Sequence, residues 1–338
     1  MKKLFALILA VAMLCTLCAC GAEKPAADDN NGGNNTPAET LKFGAAVYIP
    51  NLTGADATEE ANGKGQIDIT MAAVSIDKDG KIVDVAIDTA QNKIAFTLDG
   101  KAIANDGFKT KYELGADYNM KPASAIGKEW NEQQDAFRSV IKGKTLAEVK
   151  ALVVEETTKG TEEVVNAGCT MKIAGYVAAV EKAFANAKES NVTANDTVKV
   201  TAVSSQSVAD ATEDKAGKSQ VDTTIFFSAV NAEGKVVACV TDCVQAKFAF
   251  DLTGKSTTNT TDAVKSKLEL GNDYNMKPAS PIGKEWFEQA AAFDALCIGK
   301  TATEIQALLA DGGKGTEDVI NAGCTMKIGD MVAAAAKI

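Results

Sequence analysis

The sequence predicts an α+β fold made by tandem duplication of a small domain, each copy with a hairpin-based antiparallel sheet and helices packed on one side. Three observations predict it. A long segment occurs twice: Asp117-Tyr-Asn-Met-Lys-Pro-Ala-Ser-Ala-Ile-Gly-Lys-Glu-Trp130 returns at Asp273–Trp286, changed only at Ala125 against Pro281. Before each copy, polar and apolar residues alternate around a Gly-containing turn, the pattern of a β-hairpin. After each copy, apolar residues recur at helical spacing.

The hairpin of the first copy spans Gly65 to Phe96, with Ile67, Ile69, Ile82, Val83, Val85 and Ile87 as its apolar positions and Lys78-Asp79-Gly80-Lys81 as its turn. The second runs from Gln220 to Phe250 around Ala232-Glu233-Gly234-Lys235. Asp77 to Gly80 has the look of a calcium loop, but no downstream acidic ligand follows and the setting is a strand. The loop after the hairpin contains Pro122, which forbids helix and extends Lys121. A helix from Ile126 to about Ile141 follows, with Trp130, Gln133, Phe137 and Val140 on one face. Gly143-Lys144-Thr145 lacks the upstream glycine and strand of a nucleotide-binding loop. Thr145 instead reads as the N-cap of a helix from 146 to 154, with Glu148 closing a capping box, as Thr301 and Glu304 do in the second copy. A last helix in the first copy carries Tyr176, Val177, Val180, Phe184 and Ala187 on one face, and a shorter version runs from Met331 to Ile338. The copies are expected at 41–188 and 198–338, joined by a short polar linker at 189–197.

Composition narrows the function. The chain has 338 residues, 46% of them hydrophobic, and a net charge of -10, which argues against nucleic-acid binding. It has no histidine. That excludes Ser-His-Asp and Cys-His catalysis, histidine-ligated metals and haem on a proximal His. No catalytic residue and no metal ligand stands out, and a borrowed cofactor is the natural source of any redox chemistry.

The N-terminus reads as a targeting segment. Met1-Lys2-Lys3 is a basic n-region, and Leu4 to Leu17 is an apolar run too short to span a bilayer. Leu17-Cys18-Ala19-Cys20 resembles the bacterial lipobox, which implies a lipoprotein signal peptide at 1–19 and a lipid on Cys20. A lipid-anchored protein on the outer face of the cell membrane, of Gram-positive type, is the expected localisation. Residues 20–40 are polar and aperiodic, a flexible tether. The remaining cysteines, Cys169, Cys239, Cys243, Cys297 and Cys324, are odd in number and share no repeat framework. Cys239 and Cys243 fall on one face of a strand and read as buried small apolar residues.

One octamer is identical in both copies: Asn166-Ala-Gly-Cys-Thr-Met-Lys-Ile173 and Asn321-Ala-Gly-Cys-Thr-Met-Lys-Ile328. A glycine and small residues leave bare backbone beside Thr170 and Thr325, and a helix is expected to begin just beyond, so its N–H groups and dipole would favour a phosphate. Lys172 and Lys327 are candidate charges for it. Ala167-Gly168-Cys169-Thr170 and Ala322-Gly323-Cys324-Thr325 resemble the Ser-Gly-Ala-Thr acceptor motif of extracytoplasmic flavoproteins of the FMN-binding domain family. Ala179-Val180 and Ala334-Ala335 stand where that family has an Ala-Val pair. Ala replaces Ser and Cys replaces Ala in the motif, and the family's upstream Asp is absent.

The resemblance extends in plan over the mature chain, to the tandem flavinylated lipoproteins of extracellular electron transfer. It implies FMN joined to Thr170 and Thr325 by a flavin transferase of the ApbE type. It further implies a membrane-bound electron donor, an extracellular acceptor, and a redox carrier rather than an enzyme with its own substrate. Gly168, Cys169, Gly323 and Cys324 would set the attachment point. Tyr118, Met120 and Trp130, with Tyr274, Met276 and Trp286, would line the apolar slot that an isoalloxazine needs. The alternative from the same residues is a flavin-free cell-surface binding or structural lipoprotein, in which the octamer is a helix-entry turn and the aromatic residues are core.

Overall fold

The computed structural model describes residues 39–338. The expected signal peptide, Cys20 and nearly all of the expected tether at 20–40 lie outside the described residues. In chain order the first half contains β1 (Leu41–Tyr48), β2 (Thr53–Ala55), β3 (Gly63–Ile76), β4 (Ile82–Phe96) and β5 (Ala102–Ile103). Then come α1 (Lys111–Leu114), α2 (Trp130–Ile141), α3 (Leu146–Lys150), the small pair β6 (Val153–Val154) and β7 (Lys159–Gly160), α4 (Glu162–Ala167), α5 (Ala174–Ala185) and β8 (Lys188–Val192). The second half repeats the plan with β9 (Thr197–Ala209), β10 (Gly217–Val230), β11 (Val236–Phe250), α6 (Lys267–Leu270), α7 (Trp286–Cys297), α8 (Ala302–Gln306), α9 (Glu317–Ala322) and α10 (Gly329–Ala335).

The strands form two open antiparallel sheets, ordered β5-β4-β3-β1-β8 and β11-β10-β9, with β2 added beside β3. Both expected hairpins are present. β3 and β4 pair from Gly63↔Phe96 to Ile76↔Ile82, and β10 and β11 from Gly217↔Phe250 to Val230↔Val236. The turn glycines Gly80 and Gly234 take φ of 76° and 75°, which suits them to these tight turns.

Strand alternation assigns each face. Ile67, Ile69, Met71 and Ala73 of β3 meet Val221, Ile225 and Phe227 of β10 in one core between the sheets. The intervening Ala72, Val74 and Ile76 face the other way, against Trp130, Phe137, Val177 and Val180 of the helices. Phe226 and Cys243 do the same under Trp286, Phe293 and Val332 in the second half. The result is four layers, helices on sheet on sheet on helices, with helices on one side of each sheet. The described residues form one compact unit.

The segment expected as a linker at 189–197 is partly strand. β8 pairs with β1 (Phe43↔Lys188, Lys42↔Glu189), because the exposed edge of β1 offers unpaired backbone groups that the returning chain satisfies. The helix expected from 146 to 154 stops at Lys150, and Val153–Val154 pair with Lys159–Gly160 instead. The capping boxes at Thr145 and Thr301 are both formed.

Equivalent positions of the two halves exchange the same contacts. Ala57 N–H donates to Gly254 O at 2.7 Å, and Ala211 N–H to Gly100 O at 2.8 Å. Ser256 N–H donates to Asp56 Oδ1 at 2.7 Å, and Ala102 N–H to Asp210 Oδ1 at 2.9 Å. Lys182 pairs with Glu269 at 2.6 Å, and Lys337 with Glu113. Phe96 and Phe250 stack in the shared core, their ring centroids 4.4 Å apart and their planes 3° from parallel. The halves therefore meet as two subunits of a symmetric dimer do.

One consequence is cooperative unfolding. Phe250→Ala empties a site at the shared core and should cost about 3–5 kcal/mol. Each half has one tryptophan, Trp130 or Trp286. In a Trp286→Phe background, Trp130 fluorescence should show Phe250→Ala lowering the midpoint of the first half as well. An unchanged Trp130 transition would show that the halves fold separately.

Candidate functional site

The site in each half begins at the start of its long outer helix. Glu129 is the N-cap of α2 and exchanges hydrogen bonds with Glu132 in a capping box. Its carboxylate also accepts the N–H groups of Met120 (2.8 Å) and Lys121 (3.1 Å), which folds the Tyr-Asn-Met-Lys-Pro loop back over the helix. Glu285 does the same with Met276 (2.9 Å) and Lys277 (3.0 Å). One turn into α2, the buried Gln133 points toward the octamer.

The octamer sits at the end of α4. Gly168 caps that helix with φ 102°, in the left-handed region, and Gly323 caps α9 with φ 100°. Cys169 then turns into the core with no exposed surface, and so does Cys324. The next residue comes back to the surface. Thr170 N–H and Oγ1–H both donate to Gln133 Oε1, at 2.9 and 3.1 Å. In the second half Thr325 makes the same pair to Gln289 Oε1, at 2.8 and 3.2 Å. The other end of each glutamine amide is held too: Gln133 Nε2 donates to Ser124 Oγ (3.0 Å) and Lys128 O (3.4 Å), and Gln289 Nε2 to Ser280 Oγ (3.0 Å) and Lys284 O (3.4 Å). Both threonines are half-buried, with the hydroxyl oriented by a side chain that is itself fixed.

Two expectations are corrected here. The threonines do not stand at a helix start: each follows a helix C-terminus, and the next helices begin at Ala174 and Gly329. The N–H groups expected to meet an anion belong to these next helices, which start four residues beyond each threonine, and the threonine's own N–H already donates to glutamine. The glycine forces this, because its left-handed conformation ends the helix. Lys172 and Lys327 are exposed, and their backbone pairs with Lys159 and Lys314. The lysines beside the motif are Lys128 and Lys284. A Cβ built on Gly168 would lie 2.5 Å from Lys128 Nζ, and one on Gly323 would lie 2.4 Å from Lys284 Nζ.

The expected aromatic residues do come together. Trp130, one turn before Gln133 on α2, is 1% exposed, and its indole N–H donates to Tyr176 Oη at 2.8 Å. Tyr176 in turn reaches Met171 Sδ at 4.0 Å, beside Thr170. Lys111 Nζ lies 4.7 Å from the Tyr118 ring centre and 5.5 Å from that of Trp130. Lys267 stands 4.8 and 5.1 Å from Tyr274 and Trp286. Met120 and Met276 pack at the edges of these clusters. Beside Tyr274 opens a cavity of about 460 Å³, lined by Lys247, Lys265, Lys267 and by Leu52 of the first half.

Sequence reading missed the glutamine, the serine and the right lysine. The signal was present: Gln133 is a polar residue in the apolar stripe that also holds Trp130 and Phe137, and Ser124, Lys128 and Gln133 all recur in the second copy. The thiols beside the threonines are not reactive groups, since burial pushes the pKa of Cys169 and Cys324 up. Among the described residues no cluster of His, Cys, Asp or Glu is arranged to hold a metal, and no helix is long and apolar enough to cross a membrane.

No protein-family model matches the chain, and no solved structure matches it. Part of it is similar to a chlorophenol reductase of Desulfitobacterium hafniense, 32% identical over 108 residues, which covers 28% of this chain. The match spans about a third of that relative, 33% of its length.

Under each cluster lies a buried carboxylate. Asp88 accepts the N–H groups of Thr89 (2.7 Å) and Tyr112 (3.2 Å), and Asp242 those of Cys243 (2.7 Å) and Leu268 (3.1 Å). These bonds favour the charged form, but desolvation outweighs them and raises the pKa of Asp88 to about 6 and of Asp242 to about 7, from 3.8. A raised carboxylate pKa means that the folded state binds more protons than the unfolded one between those values, so stability falls as pH rises. Between pH 5 and 8 the fold should lose about 2–4 kcal/mol from this pair. Thermal melts across that range should show the midpoint falling, and Asp242→Asn should flatten the slope.

Proposed function

We propose that the chain is an extracytoplasmic electron-transfer flavoprotein with one FMN covalently attached in each half, at Thr170 and Thr325. The observation that carries this reading is the duplicated geometry: in both halves a half-buried threonine hydroxyl is oriented by a fixed glutamine, beside a helix-ending glycine and a lysine. A structural turn needs the glycine and the buried cysteine. It does not need a lysine ammonium drawn over the bare face of the glycine, and that charge suits the phosphate end of FMN. Tyr118 and Met120, with Tyr274 and Met276, are partly buried against the cores that hold Trp130 and Trp286, and they offer the apolar and aromatic cover that a flavin ring system needs. The partial similarity to a protein named as a reductase agrees with a redox role.

Attachment requires a donor in which FMN is an activated phosphate ester, a flavin dinucleotide in chemical class. The threonine oxygen forms the new O–P bond, the donor's phosphate–phosphate link breaks, a nucleoside monophosphate leaves, and the hydroxyl proton passes to a base. Gln133 and Gln289 accept the hydroxyl hydrogen bond but have no capacity to take the proton. The base therefore belongs to the partner, a flavin transferase of the ApbE type. The glutamines fix the rotamer of the threonine and so the position of its oxygen. When bound, FMN supplies one- and two-electron chemistry that these side chains lack. Electrons would pass from a membrane-bound donor to an extracellular acceptor, with the lipid on Cys20 keeping the protein at the membrane.

Co-expression with such a transferase should give a yellow protein whose intact mass carries two FMN adducts. Thr170→Val and Thr325→Val should each remove one adduct, and the double variant should be colourless. Peptide mapping that finds both threonines bare in the wild-type protein would sink the reading.

A further inference from the structure

Lys128 and Lys284 hold a position that no ion pair explains. Both are half-buried. Among the described residues neither ammonium lies within 4.0 Å of a carboxylate oxygen, whereas Lys144 and Lys150 nearby are paired with Glu163 and Glu181 at 2.9 and 2.6 Å. Each ammonium is instead drawn over the bare face of a glycine, where a Cβ would stand 2.5 or 2.4 Å away. A partly desolvated cation with no counter-ion is costly, and an anion in the same place relieves that cost.

The lysine is bound into the same network as the threonine. Lys128 N–H donates to Ser124 Oγ at 3.3 Å, and its carbonyl accepts from the Gln133 amide whose other end holds Thr170. Lys284, Ser280, Gln289 and Thr325 repeat the set, with Lys284 N–H to Ser280 Oγ also at 3.3 Å. Gly168 is two residues before Thr170, so their Cα atoms are at most about 7 Å apart. An ammonium on Gly168 is thus within reach of a phosphate carried by the threonine oxygen.

We propose that Lys128 and Lys284 are the phosphate-binding residues of the two sites, each ammonium pairing with the phosphodiester anion on its threonine while Gly168 or Gly323 leaves room for the contact. The proposal rests on the flavin reading above and adds the group that holds the phosphate. The glycine then has a second role, because besides ending the helix it keeps the lysine and the anion together. Lysine serves here as a point charge, which tolerates the changing geometry of a phosphate as it is transferred.

The two sites make an internal control. Purified protein, a transferase of the ApbE type and a flavin dinucleotide would be mixed, and adduct formation at each threonine followed by peptide mass mapping. In Lys284→Gln, labelling of Thr325 should slow by about tenfold or more while Thr170 in the same molecule keeps its wild-type rate. Lys284→Arg should restore most of the rate, since the charge returns. Lys128→Gln should give the mirror result. Equal labelling of both threonines in Lys284→Gln would overturn the proposal and leave the flavin reading intact. Slowed labelling that Lys284→Arg does not restore would overturn it as well. A lysine that merely caps the carbonyl end of α9 predicts a lower thermal midpoint with unchanged labelling, which also overturns it. If neither threonine of the wild-type protein takes a label, the flavin reading itself falls, and the proposal with it.

Discussion

Burial of the two inner sheet faces against each other is the constraint on which the rest depends. Each hairpin is covered on both sides, by the other sheet and by its own helices. A lone half would expose Ile67, Ile69, Met71 and Phe96, or Val221, Ile225, Phe248 and Phe250, to water. At about 1.5–3 kcal/mol for each large apolar side chain, that exposure is comparable to the whole net stability of a small domain. The reciprocal contacts from Ala57 to Gly254 and from Ala211 to Gly100 then fix how the faces meet. Inside the shared core, the buried Asn92 amide donates to Ser204 Oγ at 3.0 Å and Thr223 Oγ1 at 2.8 Å, both in the second half. Those bonds fix register as well as contact, because an unpaired amide there would be costly.

This packing places the two threonines on the outer layers. Each rests on a helix layer supported by a rigid sheet, and each octamer is fixed from below by a buried cysteine and from the side by a glutamine. Precision at the threonine oxygen thus comes from side chains whose own positions are locked by packing. The halves also contribute to each other's surroundings, since Leu52 of the first lines the cavity beside Tyr274 of the second.

Much of this was legible in the sequence, for reasons that differ by element. The hairpins were plain because period-two alternation and a turn glycine are local signals. The double coverage of β3 left a trace in the apolar run from Met71 to Val74, but Ser75 interrupts it and the stretch reads as alternating. β8 was not legible. Its residues Glu189, Ser190 and Asn191 are polar and read as a linker, and only the distant edge of β1 makes them a strand. The threonines were found because the octamer repeats. The helix beyond each threonine was expected and is present, but the short one that ends before it was missed, since the same Gly that opens backbone to an anion also ends a helix. That choice is settled by the left-handed φ of Gly168, which spacing alone does not encode.

The departures from exact duplication show which features the site requires and which it does not. Tyr176, whose hydroxyl accepts from Trp130, has Met331 as its counterpart, and Gln134 beside Gln133 becomes Ala290 beside Gln289. Cys239 and Cys297 stand where the first half has Val85 and Ile141. All of these lie in the helix–sheet cores, where volume and polarity can drift if the packing is refilled. Ser124, Lys128, Glu129, Gln133, Gly168, Cys169 and Thr170 do not drift: each has its identical partner, and the hydrogen bonds they make agree between halves to within a tenth of an ångström or so. A core tolerates exchange because many apolar shapes fill the same space. A threonine oxygen held by one amide, with one charge across a bare glycine, has no second solution of the same geometry, and so the two halves differ around their sites while remaining the same within them.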